Sequence, residues 1–281
     1  MTDVINWFVE PFSYPFMQNA LFTALIVSII CAVLSCYLVL KGWSLMGDAI
    51  SHAVLPGIVI AFMLGLPLTL GAFGAGLFCA LSVGYLKENS RIKEDTVMGI
   101  VFSGMFAFGI VLFTKVETEQ HLTHILFGNL LGVSRAELIQ TLIIASLIFV
   151  TIMVKRRDFL LYCFDQSHTR VAGLSPRVLH YGLLILLALT IIMAMQLVGV
   201  ILVVAMLISP GITAFLLSKR FEMMLLIAMC MSVITSLFGT IISYHIDAAT
   251  GPCIILLQAL FFTLALGYQK LKWYRQQPDL S

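Results

Sequence analysis

Long apolar runs separated by short polar connectors make up nearly the whole chain. The runs cover about 17–40, 45–64, 67–86, 97–114, 133–154, 179–196, 198–217, 222–244 and 252–269. At 1.5 Å per residue, a helical run of this length approaches the roughly 30 Å of a bilayer's hydrocarbon core. The pattern predicts an all-α, polytopic transmembrane helical bundle of about nine spans. A count of eight or ten also fits, because only Gln196-Leu197-Val198-Gly199 separates the sixth run from the seventh.

The connectors set an orientation. Fourteen of the sixteen Lys and Arg fall in alternate connectors and the C-terminal tail, leaving only Lys115 and Arg135 on the other side. Basic residues collect in cytoplasmic loops, so the bias predicts an N-out, C-in topology, and an odd span count agrees. Residues 1–16 carry Trp7, Phe8, Phe12, Tyr14 and Phe16 with Pro11 and Pro15, and read as an amphipathic segment in the outer interface. No Lys or Arg precedes Lys41, so the basic start of a signal peptide is missing and the first span is expected to be retained. Residues 1–281 thus read as a single transmembrane domain whose longest cytoplasmic loop is 155–178.

Composition narrows the function classes. With 60% hydrophobic residues, 11% charged residues and a mean hydropathy of +1.05, the chain is no soluble enzyme. A net charge of +2 supplies no strongly basic face for nucleic acid. The six cysteines form no C-x-x-C pair and are expected to be free thiols. There is no G-x-x-x-x-G-K-[ST] loop to hold ATP phosphates and no H-E-x-x-H pair for zinc hydrolysis. Gly47-Asp48 falls short of an intramembrane aspartyl protease motif because Leu45 stands where a glycine is needed. The chain is expected to be a transporter rather than an enzyme, with no permanently bound cofactor.

Candidate chemistry centres on Ser44-Leu45-Met46-Gly47-Asp48-Ala49-Ile50-Ser51-His52-Ala53-Val54-Leu55-Pro56-Gly57. Asp48 and His52 are four residues apart, so a helix stacks them on one face where one divalent cation could touch both. Ionisable side chains inside a span are costly and mark pathways or sites. The structural alternative makes Asp48 an N-cap facing water and His52 a hydrogen-bonded core residue. A helix starting at Ser44 would span roughly 31 Å and place both inside the membrane edge.

Three other stretches carry polar chemistry. The outer loop 115–132 holds Glu117, Glu119, His121 and His124, which would form either a metal funnel or a solvated surface helix. Loop 155–178 combines an apolar face (Phe159, Leu160, Tyr162, Cys163, Phe164) with Asp165 as a cap and Gly173 and Pro176 as a stop, which suits docking into another protein's groove, the alternative being a plain connector. Ile208-Ser209-Pro210-Gly211 lies mid-span and predicts either a kink or irregular backbone lining a cavity. Tyr244-His245-Ile246-Asp247 reads as a loop or cap, since i and i+2 do not share a helix face.

The stretch from Ser44 to Gly57 resembles the signature of the permease subunits of bacterial ABC importers for manganese, iron and zinc. That signature is close to S-L-M-G-D-A-[IL]-S-H-[AS]-[VL]-x-P-G. The inside segment with Asp165, Ala172 and Gly173 is similar to the family's coupling helix, and Leu207 through Ala214 also agrees. Within the family the chain looks most like manganese/iron permeases of Gram-negative systems that encode two related permeases. The resemblance implies an inner-membrane permease importing Mn²⁺ or Fe²⁺ as substrate, with Zn²⁺ as the alternative. It implies a partner ATPase dimer in the cytoplasm, an extracytoplasmic metal-binding protein and a second permease, identical or related. It also assigns metal coordination to Asp48 and His52, and ATPase contact to Asp165, Ala172 and Gly173. An ion-coupled secondary carrier is the competing class.

Overall fold

The computed structural model describes residues 10–43, 45–115 and 132–276, and the side chains of all these except Glu94, Gln196 and 273–276. After a 3-10 turn at Glu10–Ser13, the described chain is helical: α1 Pro15–Lys41, α2 Met46–Ala53, α3 Leu55–Met63, α4 Leu68–Asn89, α5 Glu94–Phe113 and α6 Arg135–Val154. Two short helices follow, α7 Arg156–Phe164 and α8 Gln166–Val171, and then α9 Pro176–Val198, α10 Val200–Leu217, α11 Phe221–His245 and α12 Thr250–Gln276. Taken together, α2 and α3 make one 18-residue apolar segment, and among the described residues nine helical segments are long and apolar enough to cross a membrane. This is a multi-pass membrane protein. The weak boundary between the sixth and seventh spans falls at Gly199, whose φ of +81° ends α9 in a conformation that β-carbon sterics deny other residues.

The chain divides into two compact units that interleave in sequence. One comprises Met1–Val39, Asn129–Leu142 and Ala205–Ser281; the other comprises Leu40–Gly128 and Ile143–Val204.

In the first unit, α10 runs through Pro210 without interruption. Proline leaves the Met206 carbonyl without its helical donor, and a side chain of α1 bonds the backbone on either side of Pro210. The Ser35 hydroxyl accepts from the Gly211 N–H at 2.8 Å and donates to the Ile208 carbonyl at 3.3 Å. Gly211 has no side chain because Ser35 occupies the space a Cβ would need. At the end of α11, Asp247 takes a φ of +50° and the Ala248 N–H closes on the Ser243 carbonyl, so the segment after Tyr244 is a helix stop.

The second unit is built around α4, which packs against α3, α5 and α9. Gly57 on α3 and Gly71 on α4 face each other so closely that a Cβ on either would overlap the other's carbonyl oxygen. Ala61 and Ala75 extend this contact by one turn. Membrane helices lack a hydrophobic drive to associate, and small residues four apart let two backbones approach for dispersion contact. The Pro56-Gly57 end of the sequence motif is thereby a packing device, with Gly109 of α5 closing on Pro56 from the other side.

Candidate metal centre

The helix carrying the motif starts at Met46, two residues later than a Ser44 start, with Leu45 before it and no side-chain cap. Asp48 therefore lies within the first turn and is not the N-cap. Its Oδ1 stands 3.3 Å from Nε2 of His52, one turn on. Ala49, Ile50 and Ala53 on the remaining faces are buried. The two polar groups are half-exposed, His52 at 35% and Asp48 at 41% of side-chain area. The His52 imidazole is held edge-on to Phe106 at 5.3 Å between ring centres, with Phe102 at 6.4 Å. These two α5 aromatics were not singled out from sequence, although their i, i+4 spacing places them on one face.

Packing fixes the depth of the pair. Trp43 and Gly84 both lie against His180, which places the start of the motif a turn inside Lys87, near the end of α4. Ile50 and Val54, which bracket His52, meet at Gly76, where a Cβ would come 3.4 and 3.3 Å from their side chains and 3.2 Å from Ile192. Gly76 lies eleven residues before Lys87, roughly 16 Å along α4. The pair accordingly sits near the middle of the spans that flank it. A segment of only about 27 Å reaches this depth because it begins below the helix ends.

The donor set is small and open. Among the described residues no third His, Cys, Asp or Glu joins the pair. The helix breaks just beyond the pair, at Val54, whose N–H reaches back to the carbonyls of both Ile50 and His52, and Pro56 follows with no N–H of its own. Carboxylate oxygen and imidazole nitrogen form a borderline-hard pair suited to Mn²⁺, Fe²⁺ or Zn²⁺.

The other polar candidates fall elsewhere. Glu117, Glu119, His121 and His124 lie outside the described residues. Asp165 caps α8, its Oδ1 accepting from the Ser167 and His168 N–H groups at 2.7 and 3.1 Å. Ala172 ends that helix, and Gly173, with φ +78°, completes a Schellman stop in which the Leu174 N–H bonds the Thr169 carbonyl and the Gly173 N–H bonds the Arg170 carbonyl.

The apolar face of 155–178 is divided between inside and outside. Phe159 and Tyr162 are buried, while Phe164 and Val171 stay 68% and 84% exposed. Burial pushes the Cys163 thiol up to about 12 against the opposing effect of Lys41, so it carries no thiolate chemistry.

Residues 13–269 match the ABC 3 transport family. The chain is 70% identical to the "Probable iron transport system membrane protein" of Haemophilus influenzae over 96% of this chain and 99% of that one. It is 48% identical to the manganese transport system membrane protein MntB of a Synechocystis strain, over 93% of this chain and 85% of the relative. In structure it is similar to PsaBC from Streptococcus pneumoniae, solved in complex with Fab. The TM-score is 0.83 at 38% identity, covering 96% of this chain and 99% of that one.

Proposed function

The chain belongs to the ABC 3 transport family, and as such we propose that it is the membrane-spanning permease of an ATP-driven importer bringing Mn²⁺ or Fe²⁺ into the cytoplasm. The observation that carries the reading is the Asp48–His52 pair, 3.3 Å apart and half-exposed at mid-span. A carboxylate and an imidazole exposed at that depth cannot face acyl chains cheaply, so this face of α2 is covered in the working assembly. A second permease, identical or related, covers it and contributes the same two groups. The resulting pair of oxygens and pair of nitrogens, completed by water or backbone carbonyl, gives a divalent ion a resting point.

Two ligands per subunit also make the site easy to leave, which conduction requires. The same donors hold Zn²⁺ more tightly than Mn²⁺ by the Irving–Williams order, so selection falls to the metal-binding protein that delivers the ion from outside. The pair serves as a relay.

The N-out, C-in orientation puts loop 155–178 in the cytoplasm, where it meets a separate ATPase dimer. Asp165 and Gly173 fix α8 at both ends, and Phe164, Val171 and Ala172 offer the partner an exposed apolar surface. ATP hydrolysis resides on that partner. On this reading residues 1–281 act as one permease domain in the inner membrane, with 1–16 on its outer face.

Element-by-element metal analysis of cells with and without the subunit tests the reading. Loss of Mn or Fe accumulation on deletion is the expected result. Unchanged Mn and Fe with reduced Zn would assign the subunit to zinc instead, and unchanged metal content throughout would refute import.

A further inference from the structure

A second polar feature of the same unit lies apart from the Asp48–His52 pair. Lys41, Lys87, Arg170, Arg177 and Glu88 line a cavity of about 340 Å³ beside the buried His180. That volume lies at the low end of the roughly 300–1,000 Å³ of small-ligand sites. Among the lining residues four cations stand against one carboxylate, and the carboxylate is only loosely engaged, with Arg177 Nε 3.7 Å from Glu88 Oε2. Two of the cations have further contacts. Lys41 Nζ stands 4.2 Å over the Tyr162 ring, and Lys87 Nζ donates to the Ile92 carbonyl at 3.3 Å. His180 pairs its Nδ1 with the Tyr162 hydroxyl at 2.8 Å, while its Nε2 has no hydrogen-bond partner among the described residues. Buried polar atoms are rarely left so, and His180 as a whole is 8% exposed.

The position of the cavity identifies what would fill it. Lys41 is the last residue of α1, Lys87 lies in the last turn of α4, and Arg177 in the first turn of α9. These are the ends of three membrane spans, the level at which a bilayer presents its phosphates, and basic pockets between spans take anionic headgroups there. We propose that this cavity is a headgroup site for an anionic phospholipid, whose phosphate sits among Lys41, Lys87, Arg170 and Arg177. A lipid held there ties the α7–α8 loop to the ends of α1, α4 and α9.

Native mass spectrometry of the full-length chain, exchanged into micelles containing either phosphatidylglycerol or phosphatidylcholine of the same acyl length, tests the assignment. The expected result is retention of phosphatidylglycerol over phosphatidylcholine, weakened about fivefold for each cation removed in Lys87→Gln and Arg177→Gln. Lys219→Gln, a charge outside the cavity, should retain lipid like the wild type. Equal retention of the two lipids by the wild type, which requires no variant to fold, overturns the proposal. Retention undiminished in both variants overturns it as well. Displacement of the lipid by millimolar inorganic phosphate assigns the cavity to the free ion. Variants that keep the lipid but no longer copurify with the ATPase assign it to an acidic surface of that partner. Neither readout depends on metal transport, so the lipid site and the metal relay stand or fall separately.

Discussion

Asp48 and His52 lie on one face because four residues make about one helical turn, and that much is legible in the sequence. Their depth is not, since it depends on Gly76 admitting Ile50 and Val54 halfway along α4. The capping alternative for Asp48 fails for a similar reason. The helix starts at Met46, and nothing in the local sequence distinguishes that start from Ser44. Replacing Asp48 with Asn keeps size and polarity while removing the charge. Metal uptake is expected to be lost with the thermal stability of the purified protein unchanged, and a large drop in melting temperature would recast Asp48 as structural. Gly57 makes the opposite prediction. Gly57→Leu forces a side chain into the Gly71 backbone, and overpacking of this kind costs about 1–3 kcal/mol. A lower melting temperature in detergent is expected, with uptake falling only in proportion to folded protein.

Helix by helix, the apolar runs give the nine spans because length and hydropathy suffice to mark them. The doubtful break becomes definite at Gly199, whose positive φ a sequence cannot display. Elsewhere periodicity carried less. The Pro210 segment offers kink and cavity equally in sequence, and the partner its backbone finds there is Ser35, 176 residues away from Gly211. In 155–178 the cap at Asp165 and the stop at Gly173 are readable, being local chemistry. Which apolar residues face inward is not, because burial of Phe159 and Tyr162 depends on α9. Gly173→Val finds open space around the new Cβ but has to hold a left-handed φ, at about 1–2 kcal/mol. The variant is expected to fold and to lose coupling, seen as ATPase turnover in the complex without matching metal entry. Asp165→Ala removes two hydrogen bonds from a six-residue helix, a loss of about 1 kcal/mol, and should show the same uncoupling more weakly. Wild-type ratios of metal moved to ATP hydrolysed in both would exclude α8 from coupling.

At the level of the whole molecule, an importer subunit differs from an ion-coupled carrier in its energy source. Permease reconstituted without an ATPase is expected to move no Mn²⁺ under any proton or sodium gradient, and gradient-driven accumulation would point to the carrier class. Lys41, Lys87 and the pair Arg170 and Arg177, from three separate stretches of the chain, converge on a single cavity, a grouping that the sequence does not display. The central claim remains that one carboxylate and one imidazole, a turn apart at mid-span, hand a bare cation across the membrane. Its most direct test is Mn²⁺ entry into proteoliposomes containing permease, ATPase and metal-binding protein, compared for wild type, Asp48→Ala and His52→Ala. Both variants are predicted to assemble with the ATPase yet admit no more Mn²⁺ than vesicles lacking permease, whereas entry at the wild-type rate in both would contradict the relay.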